Sequence, residues 1–119
     1  MNARALRQWC LAQSGVVEDF PFGPENSVFK VAGKMFALTQ LGAESLRVSL
    51  KCDPDLAADL RRAHEAVIPG YHLNKRNWNT VIIDGSLPDR MICDLIEDSY
   101  DLVVSRLPAI RRSALGWTG

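Results

Sequence analysis

The sequence has no excess charge of either sign: fourteen Lys and Arg balance fourteen Asp and Glu. A protein that gathers polyanions through its net charge is thereby excluded. Cysteine is scarce, and Cys10, Cys52 and Cys93 are widely spaced, with no CxxC pair. Neither His64 nor His72 stands at a metal-ligand spacing from any of them, so a disulfide framework and a zinc ribbon are both excluded. The thiols read as reduced, in a cytoplasmic protein: Cys10 and Cys93 fall on apolar helix stripes, where cysteine behaves as a small buried hydrophobe. Cys52 ends a strand beside Asp53, whose carboxylate would raise its pKa and blunt it as a nucleophile. No run approaches the roughly 18 apolar residues of a membrane-spanning helix. Arg4 and Arg7 interrupt the apolar stretch at the N-terminus, which spoils a secretory leader. GxSxG, HExxH, P-loop and GxGxxG motifs are missing, so neither an enzyme nor a bound cofactor is expected.

What is there is an average globular composition in 119 residues: 47% apolar and 24% charged, enough for one domain with its own core. Asn2 can cap a first helix whose stripe is Leu6, Trp9, Cys10 and Gln13. Ser14-Gly15 ends it, and the loop DFPFGPEN follows, with Phe20 and Phe22 expected to lie as a lid over the core edge. From Ser27 to Lys51 the period becomes two. Phe29 and Val31 alternate with Val28 and Lys30, Ala32-Gly33 makes a hairpin turn, and Met35 to Leu41 returns. In Ser45 to Lys51, Leu46, Val48 and Leu50 turn inward and Arg47 and Lys51 outward. Asp53-Pro54 opens a helix through about His64, Trp78 to Ile83 is a last strand, and Ser86-Leu87-Pro88-Asp89 has capping-box spacing before a helix that Pro108 stops. The expected order is α-β-β-β-α-β-α: an α+β two-layer sandwich, with an antiparallel sheet of about four strands and helices on one face. The domain should span 1–107, with 108–119 a mobile tail.

The charges are unevenly placed. Asp84, Asp89, Asp94, Glu97, Asp98 and Asp101 oppose only Arg90 along the last helix, a solvated acidic face. Lys30, Lys34, Arg47 and Lys51 fall on the strands with one acid, Glu44. The segment Asn74-Lys75-Arg76-Asn77-Trp78-Asn79 then adds two cations, three amides and an indole. Cations serve phosphates, amides pair with base edges, and an aromatic can stack or insert at a base step. The structural alternative is that the lysines keep the sheet soluble, Trp78 anchors the last strand in the core, and the amides satisfy loop backbone.

Taken together, DFPFGP (19–24), VFKVAGKMFAL (28–38), VSLKCDP (48–54), PGYHLNKRNWNT (69–80), DGSLP (84–88) and LIEDSYDLV (95–103) resemble the MmcQ/YjbR family of small bacterial proteins. The resemblance implies a frataxin-like (CyaY-like) fold and a DNA-binding role, sometimes described as a double-wing motif. The positions it carries over are Lys30, Lys34, Lys51, His72, Asn74, Lys75, Trp78 and Asn79. A frataxin-like fold also raises iron binding, but the first helix has Arg4 and Arg7 and no acidic ridge, so no metal is expected.

The leading expectation is a non-enzymatic module for double-stranded DNA. Lys30, Arg47 and Lys51 would contact phosphates, while Lys75, Arg76 and the flanking asparagines would enter a groove. The alternative is a small-molecule or protein-interaction domain with a pocket between the 19–24 and 69–79 loops, lined by Tyr71, His72 and the two phenylalanines.

Overall fold

The computed structural model describes residues 1–70 and 73–119. Asn2 caps α1 (Ala3–Leu11), its Oδ1 accepting the Ala5 N–H at 2.9 Å, which satisfies one of the donors left open at a helix start. Leu6 and Cys10 are fully buried on its inner side, whereas Trp9 stays at the rim. Four strands follow: β1 (Val16–Asp19), β2 (Ser27–Val31), β3 (Lys34–Thr39) and β4 (Arg47–Lys51). Then come α2 (Pro54–Ala63), β5 (Val67–Pro69), β6 (Trp78–Ile82), α3 (Asp89–Ser105) and α4 (Ala109–Ala114).

The strands form one antiparallel sheet in the order β1-β2-β3-β4-β6-β5. It has six strands where the sequence pattern predicts about four. The two additions are the edges. β1 is four residues long and β5 three, too short to display an alternation. They exist because β2 and β6 offer them a ladder. Pro69 fits β5 because an edge strand can present its missing N–H to the outside.

Helices α1, α2 and α3 pack on the sheet. α1 packs on β1, α3 on β2, β3 and β4, and α2 on β5 and β6. Between the layers Phe29, Phe36, Val48, Val81, Ile92 and Ile96 form the fully buried core, and the Phe36 ring meets Tyr100 edge-on at 5.5 Å. A bulge sets this geometry: Phe29 pairs with Ala37 but Lys30 with Met35, leaving Phe36 outside the register and both Phe36 and Ala37 in the core. Ser99 of α3 locks the bulge in place. Its buried hydroxyl donates to the Phe36 carbonyl at 2.6 Å and accepts the Lys51 N–H at 2.9 Å.

Three local expectations change. Ser86 forms no capping box; it bonds back to Asp84, and α3 starts after Pro88 without a side-chain cap. Phe20 and Phe22 are 48% and 62% exposed rather than lying as a lid. Residues 108–119 contain α4, after which Leu115 and Trp117 pack against the core, and the Trp117 indole donates to Asp101 at 3.0 Å. Six residues are too few to show a helical period. Gly15 accommodates this docking, since its φ is +73° and a Cβ there would run into Leu115.

Candidate nucleic-acid interface

The register brings one end of the sheet together from distant parts of the chain. β3 begins there with Lys34, β4 ends with Lys51, and β6 begins with Trp78, the cross-strand partner of Lys51. The 73–77 loop is fastened to the same end by the Cys52 N–H, which donates to the Asn77 carbonyl at 2.7 Å. The C-terminus of α3 also arrives here, carrying Arg106 as its capping residue. Lys34, Lys51 and Arg106 line one open groove of about 640 Å³, with Met35, Val103 and Leu107. Burial pushes the Lys51 ammonium pKa down, with the Arg106 and Lys34 charges adding to the effect.

Lys75 and Arg76 are exposed on the loop. None of Lys34, Lys51, Lys75, Arg76 and Arg106 has an acidic partner among the described residues. Lys30 differs: its Nζ sits 2.8 Å from Asp19 Oδ2, so its charge is already matched. Arg47 also has no acidic partner among the described residues but stands at the opposite end of β4 from Lys51. Four residue steps separate them, roughly 13 Å along a strand. The expected trio of Lys30, Arg47 and Lys51 is therefore not a single patch.

Two of the amides, Asn74 and Asn79, and the indole of Trp78 are structurally engaged. Asn74 Oδ1 accepts the Arg76 N–H at 3.0 Å in an Asx turn. Asn79 is buried, with Oδ1 accepting from Arg61 at 2.8 Å and Nδ2 donating to the Ala57 carbonyl at 3.2 Å, which ties α2 to β6. Trp78 is 8% exposed and packed against Gly70, where a Cβ would come within 2.8 Å of the Trp78 Cβ. Neither Trp78 nor Asn79 can meet a base without unfolding the strand start. His72 and Tyr71 lie outside the described residues.

Another concavity lies on the face without helices. A groove of about 770 Å³ runs past Leu38, Gln40, Ser45, Arg47, Ser49 and Thr80, with the Ser49 and Thr80 hydroxyls 2.8 Å apart at its base. Pro24 to Ser27 face Gln40 to Ala43 across a second groove of about 760 Å³. The 19–24 loop thus turns toward the 40–43 turn.

The acidic counterpart is the outer side of α3. Burial, then Asp101 and Asp94, push the Asp98 carboxyl up. Among the described residues no three of His, Cys, Asp and Glu gather so as to hold a metal ion. No helix among them is long and apolar enough to cross a membrane. Cys10 is fully buried, with its thiol pKa pushed up to about 12 by burial and the neighbouring Cys93 and Glu18 charges. Cys93 is only half-buried, because α3 turns it toward the rim beside Trp9, whose indole donates to the Cys93 carbonyl at 3.4 Å. Burial and Asp53 raise the Cys52 pKa, against a nucleophilic role.

The YjbR family model matches residues 11–102, most of the strands and helices just described. The chain belongs to the YjbR family. It is 38% identical over 115 residues to the uncharacterised protein YjbR of Escherichia coli (strain K12), covering 97% of this chain and 98% of that one. A crystal structure of a Deinococcus radiodurans protein with the domain name DUF419 superposes with a TM-score of 0.90 at 40% identity, covering 98% of this chain and 89% of that one. A Pseudomonas syringae protein of solved crystal structure gives 0.75 at 29% identity, covering 86% and 98%. The Escherichia coli and Deinococcus matches both extend past residue 107, so the YjbR-family likeness takes in α4. Sequence reasoning missed Arg106, because only the length of α3 carries it back to the strand ends. It also missed Arg61 and Ser99, which hold that end in place.

Proposed function

We propose that this YjbR-family chain is a non-enzymatic module that binds the phosphate backbone of duplex DNA, in the cytoplasm, along the end of its sheet. One observation carries this reading: Lys34, Lys51, Arg106, Lys75 and Arg76 gather there without acidic partners among the described residues. Cations left unmatched on rigid elements are available to phosphates, whereas Lys30 is committed to Asp19. The engagement of Asn74, Asn79 and Trp78 within the fold argues against base reading by those residues. Binding should therefore show little sequence preference.

The test is fluorescence anisotropy with a random duplex across a salt series. Three or four phosphate contacts give a log–log slope of about −3 to −4. Replacing Lys34, Lys51 and Arg106 together by Gln should flatten it by about 2.7, whereas Lys30→Gln should leave it unchanged. Binding that ignores salt, or none at about 50 mM salt, overturns the reading. The groove beside Arg47, with buried hydroxyls at its base, supports a small-molecule site as a second reading. On that reading Arg47→Ala would alter ligand-induced thermal shifts while leaving duplex affinity unchanged.

A further inference from the structure

We propose that the groove between Lys34, Lys51 and Arg106 holds one dianionic phosphate monoester. This builds on the reading above by using the same end of the sheet, but it asks for a discrete site where backbone binding asks only for a charged surface.

The three cations stand on regular elements: the first residue of β3, the last of β4, and the C-cap of α3. Two of them are pinned by their own backbone. The Lys51 N–H is held by Ser99 Oγ, and the Arg106 N–H by the carbonyls of Val103 and Val104. This fixes where the two side chains start, so only the side chains themselves have to order when a ligand arrives.

The charge balance then points to the ligand. A helix C-terminus offers about half a unit of negative charge, against three cations. The carboxylates nearest this end are otherwise placed. Asp98 does not line this groove but shares the adjoining cavity with Lys51, Cys52 and Leu60, and Asp101 accepts the Trp117 indole. Lys51 therefore sits beside two like charges, and burial first, then Arg106 and Lys34, lower its pKa. A carboxylate or a backbone diester brings one negative charge, whereas a phosphate monoester brings nearly two. The Arg106 fork can take two phosphate oxygens, and each lysine can serve as a point charge to the third. Met35, Val103 and Leu107 give the organic group an apolar wall. The monoester could be the 5′-terminal phosphate of a nucleic-acid strand or a free phosphorylated metabolite.

The probe is phenyl phosphate, titrated into isotope-labelled protein and followed by amide and lysine resonances. The expected result is a set of shifts centred on residues 34–35, 51 and 106–107, with the Lys51 pKa rising towards its ordinary value. Monoanionic methyl phenyl phosphate should bind more weakly. Arg106→Gln and Lys34→Gln should each weaken phenyl phosphate by about tenfold or more, at unchanged melting temperature, while Arg90→Gln should not. Unchanged affinity in Arg106→Gln, or shifts scattered elsewhere, would falsify the site. A duplex that binds with salt dependence while phenyl phosphate leaves this groove untouched sinks the site and spares the DNA reading. Phenyl phosphate binding without duplex binding does the reverse. Tighter binding of a 5′-phosphorylated than a 5′-hydroxyl duplex assigns the monoester to strand ends; equal binding, with phenyl phosphate bound as expected, assigns it to a free metabolite.

Discussion

Along the β1–β2 edge cation meets carboxylate, while at the β3–β4 end cation meets cation. On the first side Arg7 reaches Glu18 at 2.8 Å and Lys30 reaches Asp19 at 2.8 Å. On the second, Lys34, Lys51 and Arg106 share a groove with no acid among its lining residues. Both regions carry basic residues, and a count of cations alone does not say which of them are matched. Paired charges at a surface cost little and gain little. Convergent like charges are retained at some cost, and such groupings often mark function.

The largest expected effect tests what holds the cationic end in place. Ser99→Ala removes the partner of both the Phe36 carbonyl and the Lys51 N–H inside the fold. Leaving one buried and one partly buried backbone group unsatisfied should cost roughly 2–4 kcal/mol in urea denaturation. A loss below about 0.5 kcal/mol, the ordinary range for surface changes, would mean that the clamp is not what sets Lys51.

A paired comparison comes next. Arg7→Met breaks an ion pair with a largely buried glutamate and should lower stability by about 0.2–1 kcal/mol. Lys51→Met removes a charge from among like charges, so stability should hold or rise while duplex affinity falls. Its ammonium pKa is lowered in the fold, so the cost is present at neutral pH and is relieved as the pH climbs through that lowered value. Matching losses of stability in both variants would erase the distinction between the two regions.

The smallest effect is a pH dependence on the paired side. The Lys30 ammonium, and then the Phe20 N–H, hold the Asp19 carboxyl below its ordinary range. A depressed carboxyl contributes stability above its unfolded pKa of roughly 3.9, which is lost as the pH falls through its folded value. Asp19→Asn should therefore narrow the gap in melting temperature between neutral and strongly acid pH. An unchanged gap would show that the pair is idle in solution.

Much of this molecule was legible in the chain. Strands β2, β3, β4 and β6 followed from period-two runs, α1 and α2 from capped apolar stripes, and α3 from its apolar stripe alone. β1 and β5 were not, because three or four residues show no period and each exists only through its partner. α4 escaped for the same reason, at six residues. Within the site, Lys34, Lys51, Lys75 and Arg76 are legible directly as exposed or partly exposed cations, and Arg47 is legible too but stands outside it. The neutralisation of Lys30 was not, since it depends on β1 lying beside β2 and bringing Asp19 within reach.

By itself, then, the sequence determined the strand and helix alternation, the single apolar face and the absence of a recognisable catalytic motif. These depend on neighbours along the chain, where the spacing of side chains follows from helix and strand geometry alone. Only the tertiary structure decided which cations kept a partner and which did not. Ion pairing depends on distance between residues far apart in sequence, and here register, a bulge and the length of α3 set those distances.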